Sequence, residues 1–493
     1  IAPCSTASDF RENGTASCFV GTTFYFPDIV LDYPNDETIP STVIGAIKLN
    51  NGVPTPIKIQ TAKMVDDGSG GSVLRVEFEN AQVFNANPSD VEPRISDDIS
   101  IRACIGGSGI DPAYDYSQLG ETWSTPKIVR MPTSSGSNNI GNDRYVAIMG
   151  AGMSKSDACA GSALFVVDLE GHADGMPGRI YGSEINGGPI NIIDSTPNGV
   201  LTGDTVMETN NGSDISNSIP AGPVVITPDT APGVPWRGAL VYINDLEGKI
   251  TKFNLSNLAD DGNGNAVKIF DSTTLFTAGS NKTNGRYMYH SMDATIGGTT
   301  NELWLFAGTG DYERINDTTS GVSNYLLGIK DKDYPFYREI AKPTKADDIT
   351  KCKDTTNDTS GAKCPQNADK GWYIVLKDYA KTTAEPTVYK GTAYFPVYEP
   401  TKSVNKCSLG NAYICGVDDE CGTNTSSQLN QTMGKSNKCA YVGQGVLSKI
   451  VVFADKLFAN IAGQSTGSKK DLVTLQAGQG QTGIYRSSWR HNY

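Results

Sequence analysis

Apolar residues along this chain come in short, strand-length runs separated by clusters of Gly, Asn and Ser, and helical periodicity is almost absent. The first clear runs are 126–131, 144–149 and 163–169, spelled PKIVRM, RYVAIM and ALFVVDL. A second set repeats the order at 220–226, 238–248 and 249–255, and a third at 288–296, 302–310 and 324–330. A fourth follows at 371–376, 384–390 and 391–398, and a fifth opens near Gly443. Each set has a Pro- or Ser-led strand, a loop, an apolar strand closed by Gly, and a strand running into a polar turn. Three or four strands per unit, repeated radially, is how a β-propeller hides its sheet edges. The expected fold is therefore all-β: a divergent β-propeller of about five to seven irregular blades. The one helical candidate, 341–350, is short and polar.

Upstream of residue 120 the grammar changes. Alternating strands at 43–49 and 73–78 flank a Gly- and Ser-rich stretch, Asp66 to Ser72, which reads as a hairpin tip or linker. Residues 1–119 are expected to form a separate β-rich module, or else to supply further blades, with 120–493 as the propeller.

Composition sharpens this picture. The chain has 53 glycines and 25 prolines in 493 residues, which suits a protein rich in turns. Its 41 Lys and Arg against 54 Asp and Glu give a formal charge of −13, so nothing basic is available to neutralise a nucleic acid backbone. Ten cysteines, three histidines and no CxxC pair point to disulfides rather than a zinc or haem site. An oxidising, exported setting is expected. No apolar run is long enough to span a membrane, and a start at Ile1 without Met suggests a processed export product.

Several stretches in order resemble the propeller domain of the PilC/PilY-type type IV pilus biogenesis and tip adhesin family. Leu119 to Val129, LGETWSTPKIV, resembles that family's opening strand, and Ser218 to Ile226 continues the likeness. Leu240 to Leu255, LVYINDLEGKITKFNL, is similar to the family's "YvGDldGnlyrFDL", and Leu303 to Tyr312 to its "vyfGTGry". Tyr325 to Asp331 and the closing Tyr485 to Tyr493 complete the series. The resemblance implies a non-enzymatic protein at the cell surface, working in pilus biogenesis and adhesion. Its propeller would dock on minor pilins or the pilus tip, while other loops meet a host or abiotic surface. Family members usually carry an N-terminal von Willebrand A-like domain with a metal-ion adhesion motif. The 119 residues here are too few for it and contain no such motif, so adhesion through that module is not expected. The alternatives are a secreted propeller enzyme, quinoprotein or glycan-acting, and a structural subunit of an extracellular filament.

Candidate chemistry is sparse. The family's calcium loop corresponds here to 227–237, which holds one carboxylate, Asp229, too few for a calcium cage. A second candidate is the run Asp261, Asn263, Asn265, with glycines between. It has the start of an EF-like calcium loop but lacks the distal acid, so a plain hairpin turn competes with a possible calcium site. Asp418 to Glu420 reads as a solvated loop tip, with cation binding as the alternative. His290 lies near Ser291 and Asp293, but neighbours on one strand point to opposite faces and cannot relay a proton. No catalytic residue is expected: the Asp-box spacing of sialidases and the Trp-docking repeat and vicinal cysteines of quinoproteins are missing.

The cysteines have structural readings. Cys4 with Cys18, and Cys352 with Cys364, are close enough in sequence to close single loops. Cys407, Cys415, Cys421 and Cys439 fall in one insertion near 400–440 and admit three pairings. Cys104 and Cys159 remain, as a tie between the N-terminal module and the first blade. The stapled insertion is a candidate display loop for a partner. Asn-x-Ser/Thr sequons at Asn13, Asn211, Asn281, Asn316, Asn357, Asn424 and Asn430 mark further surface loops.

Overall fold

The structure is a computed structural model. It describes 2–3, 18–20, 23–26, 35–36, 38–39, 46–50, 53–57, 59–66, 72–78, 93–94, 112–114, 116, 118–153, 161–171, 177–182, 188–191, 218–228, 234–280, 285–318, 323–337, 348–358, 361–376, 379–401, 409–423, 438–463 and 472–477. Among these residues there are strands and a few single-turn 3-10 segments, and no α-helix. The helical candidate at 341–350 lies mostly outside them; its described end, Ile349–Lys351, is one 3-10 turn. Among the described residues no helix is long and apolar enough to cross a membrane.

Contacts divide the chain into two compact units: Ile1–Thr122 with Val146–Ser218 and Ala341–Lys345, and Trp123–Tyr145 with Ile219–Ile340 and Ala346–Tyr493. In the first unit, strands order as Ala2–Pro3, Cys18–Val20, Thr23–Phe26, Ser72–Phe78, Ile59–Asp66, and a smaller sheet as Val53–Ile57, Ala46–Asn50, Pro93–Arg94. The 59–66 and 72–78 strands are antiparallel neighbours, with Ala62, Met64, Leu74 and Val76 buried at alternate positions. Downstream, Val146 to Gly150 pairs with Leu164 to Asp168, and Ala163–Asp168 also carries the short strands Ile180–Tyr181 and Ile190–Asn191. Phe165 packs there with Ile180 and Tyr116.

The second unit holds four successive blade-like sheets. The 224–277 sheet runs Val224–Ile226, Gly238–Asn244, Lys249–Ser256, Ser272–Thr277. The 293–375 sheet runs Asp293–Ile296, Leu303–Gly308, Tyr325–Asp331, Gly371–Val375, with Lys353–Asp354 added in parallel. The 381–444 sheet is built on Thr392–Glu399, Asn411–Asp418 and Cys439–Gln444, and the 446–476 sheet on Lys456–Ala462. The all-β, blade-by-blade reading therefore holds. One assignment changes: Gly371–Val375 belongs to the third set, not the fourth. It is the antiparallel partner of Tyr325–Asp331, and the long insertion between the two strands conceals that pairing in the sequence.

Period-2 alternation explains why these strands read as continuous apolar runs. Leu240 and Tyr242 of one sheet share a core with Leu303, Leu305, Leu327 and Ile329 of the next. The opposite-facing residues of that second sheet, Trp304, Phe306, Leu326 and Trp372, pack on Ala393, Phe395, Val397 and Cys415 of the third. Tyr394, Ala412 and Ile414 then meet Leu457 and Ala459 of the fourth. A middle sheet buries both faces, so its strands show no polar side. Each large side chain buried this way contributes about 1.5–3 kcal/mol.

Candidate functional site

Polar side chains concentrate where one sheet's turns meet the next. Between the 224–277 and 293–375 sheets lies a fully buried triad. Lys252 Nζ is 2.6 Å from Asp331 Oδ2, and the Tyr242 hydroxyl donates to the same oxygen at 2.6 Å. Lys252 also donates to the Phe336 carbonyl at 2.8 Å. Burial works against the Asp331 carboxylate, yet the Lys252 charge and the bonds from Lys252, Tyr242 and the Asp333 amide outweigh it and hold its pKa below the usual value. Such a pair is satisfied rather than reactive.

The densest cluster is the corner formed by the end of Asn411–Asp418. Asp419 and Glu420 are only 3% and 9% exposed, so the acidic run is not a solvated loop tip. Asp418 Oδ1 accepts from the amides of Glu420 and Cys421 at 3.0 and 2.8 Å, which forms the turn. Glu420 reaches to the neighbouring sheet, where its two oxygens accept from the amides of Thr299 and Thr300, both at 2.7 Å. Trp372 Nε1 donates to the Asp419 carbonyl at 2.8 Å. Lys438 Nζ donates to the Gly422 carbonyl at 2.8 Å and to that of Thr355; burial pushes its pKa down to about 8.

Asp419 is the exception in this corner. Its Oδ2 is buried with no hydrogen-bond partner. Burial, then the charges of Asp418 and Glu420, push the carboxyl up to about 7. Burial raises Asp418 as well.

Two disulfides hold the corner, and they revise the expected pairing. Cys364 bonds to Cys421 and Cys415 to Cys439. Cys352 is buried and does not join Cys364. Proximity in sequence failed as a guide because Lys353–Asp354 adds in parallel to Gly371–Val375, while the 361–364 turn faces the 381–444 sheet. Cys415 and Cys439 are direct partners across adjacent strands. Residues 402–408, which include Cys407, and 424–437 lie outside the described residues, as do Cys4, Cys104 and Cys159; of Cys18 only the backbone strand is described. Disulfides agree with an exported protein.

Asp261, Asn263 and Asn265 do come together. Asp261 Oδ1 accepts from the Asn263 and Asn265 amides at 2.8 and 3.1 Å, and Oδ2 from Asn265 Nδ2 at 2.9 Å. Gly262 and Gly264 supply φ of 79° and 90°, and Asp260 bridges to Ala266. Both Asp261 oxygens accept from the loop's own nitrogens, the bonding of an Asx-stabilised hairpin turn. Among the described residues no group of three His, Cys, Asp or Glu is placed to hold a metal. Asp229 lies outside them. His290 packs edge-on to Tyr312 at 5.2 Å. Its Nε2 has no partner, and burial lowers its pKa to about 4, which leaves it neutral. Glu420, Lys438 and Lys252 have no sequence signal that marks them, because their partners are backbone groups or side chains on distant strands.

No protein-family model matches the chain. A curated relative, the type IV pilus biogenesis factor PilY1 homolog of Xylella fastidiosa, is 26% identical over 203 residues, covering 39% of this chain and 14% of the relative. The matched stretch is thus a small part of that protein's length. Among solved structures, the PilY1 C-terminal domain of Pseudomonas aeruginosa superposes with a TM-score of 0.44 at 13% identity, over 94% of this chain and 93% of that one. BamB of Moraxella catarrhalis gives 0.21 at 9% identity, over 71% of this chain and 83% of the other. The chain is similar in sequence to PilY1-type proteins, in agreement with the segment-by-segment resemblance to the PilC/PilY-type family.

Proposed function

We propose, starting from the similarity to a PilY1 homolog, that this chain is a non-enzymatic component of a type IV pilus system. In this reading it acts outside the cytoplasm in pilus biogenesis and surface attachment. The sequence similarity over 203 residues carries the proposal. The chemistry of the described residues supports it: Lys252 is paired with Asp331, Lys438 with backbone carbonyls and Glu420 with backbone amides, and the one histidine described is neutral and packed. A scaffold tied this way suits binding, in which rigid sheets present loops to a partner. The partners proposed are minor pilins or the pilus tip on one side and a host or abiotic surface on the other.

The test is deletion of the gene in its own host, complemented by the wild-type copy, with sheared pili counted and probed for the protein. Loss of surface pili, restored on complementation, together with co-purification with pilus ends, is the expected result. Normal piliation and attachment in the deletion strain would refute the proposal. Even labelling along fibres would instead favour a filament subunit, and turnover of a glycan by the purified protein would favour the enzyme reading.

A further inference from the structure

Asparagine followed by glycine is chemically labile where the glycine's backbone nitrogen can attack the asparagine side chain, because no Cβ shields that nitrogen and the glycine backbone turns freely. The chain has seven such pairs. Asn263–Gly264, at the tip of the hairpin closed by the bridge between Asp260 and Ala266, is the pair that lies wholly among the described residues. Both residues are exposed. A Cβ built on Gly264 would meet nothing within 4 Å, whereas one on Gly262 would fall 3.1 Å from the Phe336 ring. The hairpin is thus packed at one shoulder and open to solvent at its tip.

Hydrogen bonding singles out one nitrogen at that tip. Asp261 Oδ1 accepts from the amides of Asn263 and Asn265, but the Gly264 amide between them meets no acceptor among the described residues. Asn265 offers the contrast: its side-chain nitrogen donates to Asp261 Oδ2 at 2.9 Å, and the residue after it, Ala266, carries a Cβ and belongs to the bridge. We infer that Asn263 is a site of spontaneous deamidation, with the Gly264 nitrogen as the nucleophile. In this step the Gly264 nitrogen gives its proton to solvent base and bonds to Asn263 Cγ, while Nδ2 takes a proton and leaves as ammonia. Water then opens the five-membered imide at either carbonyl, which leaves aspartate or isoaspartate. Either product sets a new negative charge close to Asp260 and Asp261. Isoaspartate also lengthens the main chain by one methylene between the two amides that share Asp261 Oδ1, so the spacing that lets one oxygen hold both is lost. The tip of this hairpin is therefore a modification site that accumulates product with the age of the molecule. The inference is independent of the pilus reading.

The purified full chain should be held folded at pH 6 and at pH 8, sampled over time and digested at acidic pH to stop the reaction. The peptide that contains Asn263 is then followed by mass spectrometry, with isoaspartate identified by fragmentation. A gain of one mass unit at Asn263 should accumulate at least tenfold faster at pH 8, since the nucleophile must lose a proton, with isoaspartate among the products and Asn265 unmodified. Gly264→Ala should slow the reaction at least tenfold. Alanine is strained at the Gly264 φ of 90°, so that variant is read beside its melting curve, and the product mixture from wild-type protein decides the matter should the variant unfold. No mass gain at Asn263, a rate that does not change with pH, or modification of Asn265 as fast as Asn263 would overturn the inference. So would aspartate formed without isoaspartate, because water attacking the side chain directly yields aspartate alone.

Discussion

Replacing Asp419 with Asn should change how stability depends on pH, and the structure sets the sign and size. The carboxyl sits at about 7 in the folded protein against 3.8 when unperturbed, chiefly because it is buried. The folded state therefore holds this proton more tightly than the unfolded chain. Its contribution to stability is fully present below about pH 4, and it is lost as pH rises towards 7, where the buried group must charge beside Asp418 and Glu420. From 3.8 to about 7, at about 1.4 kcal/mol per decade, the loss has a ceiling of about 4 kcal/mol, and an effect on the order of 2–4 kcal/mol is expected. Asn has the same shape and cannot ionise. Urea unfolding of wild-type and Asp419→Asn protein at pH 5, 6, 7 and 8 isolates the effect, since other titrating groups contribute to both. The stability difference should move in favour of the variant by at least 1 kcal/mol between pH 5 and pH 8. A difference that stays constant across that range would refute the assignment.

Glu420→Gln leaves one oxygen to serve two amides of the 299–300 turn, so a loss of about 1–3 kcal/mol is expected by urea denaturation. Gly328 pairs with Trp372, and a Cβ there would fall 2.3 Å from the indole. Gly328→Ala should destabilise by about 1–3 kcal/mol, with a change in tryptophan fluorescence, rather than give the usual small gain of Gly→Ala. Non-reducing peptide mapping should recover Cys364 joined to Cys421 and Cys415 joined to Cys439. Cys364→Ser with Cys421→Ser should lower stability by about 2–4 kcal/mol. Calcium at millimolar concentration should leave the melting temperature unchanged, while Asp261→Ala should lower stability by about 0.5–2 kcal/mol through loss of the turn's bonds.

The strands were legible because burial on alternate faces leaves a local pattern. Leu303 to Gly308 and Thr392 to Glu399 read as strands from composition alone, and both are. The Asp261 loop was legible as a turn for the same reason: its glycines and its Asx bonds span five residues. Longer connections were not. The pairing of Gly371–Val375 with Tyr325–Asp331 crosses an insertion of some forty residues, and strand order across a gap of that size leaves no periodic trace. The pairing of Cys352 with Cys364 failed likewise, while Cys415 with Cys439 was among the pairs left open, since loop length predicts which cysteines could meet and not which strands carry them together.

The acidic run 418–420 shows where sequence reasoning loses its grip most completely. Three consecutive acids after a strand look like a solvated turn, because unpaired carboxylates avoid burial. Each of these three has a different local environment. Asp418 is satisfied by its own turn and Glu420 by two amides on the next sheet, while Asp419 keeps one buried oxygen without a partner. Glu420's reach depends on the 299–300 turn lying within 2.7 Å, and that depends on the sheet stacking which Trp304, Trp372 and Phe395 enforce. The packing of the apolar core thus decides the chemistry of the acids. It follows that loosening the core at Trp372 should release Glu420 and lower the Asp419 carboxyl towards its ordinary value. Trp372→Leu, which also removes the indole bond to the Asp419 carbonyl, should flatten the difference between pH 5 and pH 8 that separates wild-type from Asp419→Asn protein. If that difference survives unchanged in the Trp372→Leu background, the acids owe their burial to the disulfides rather than to the core.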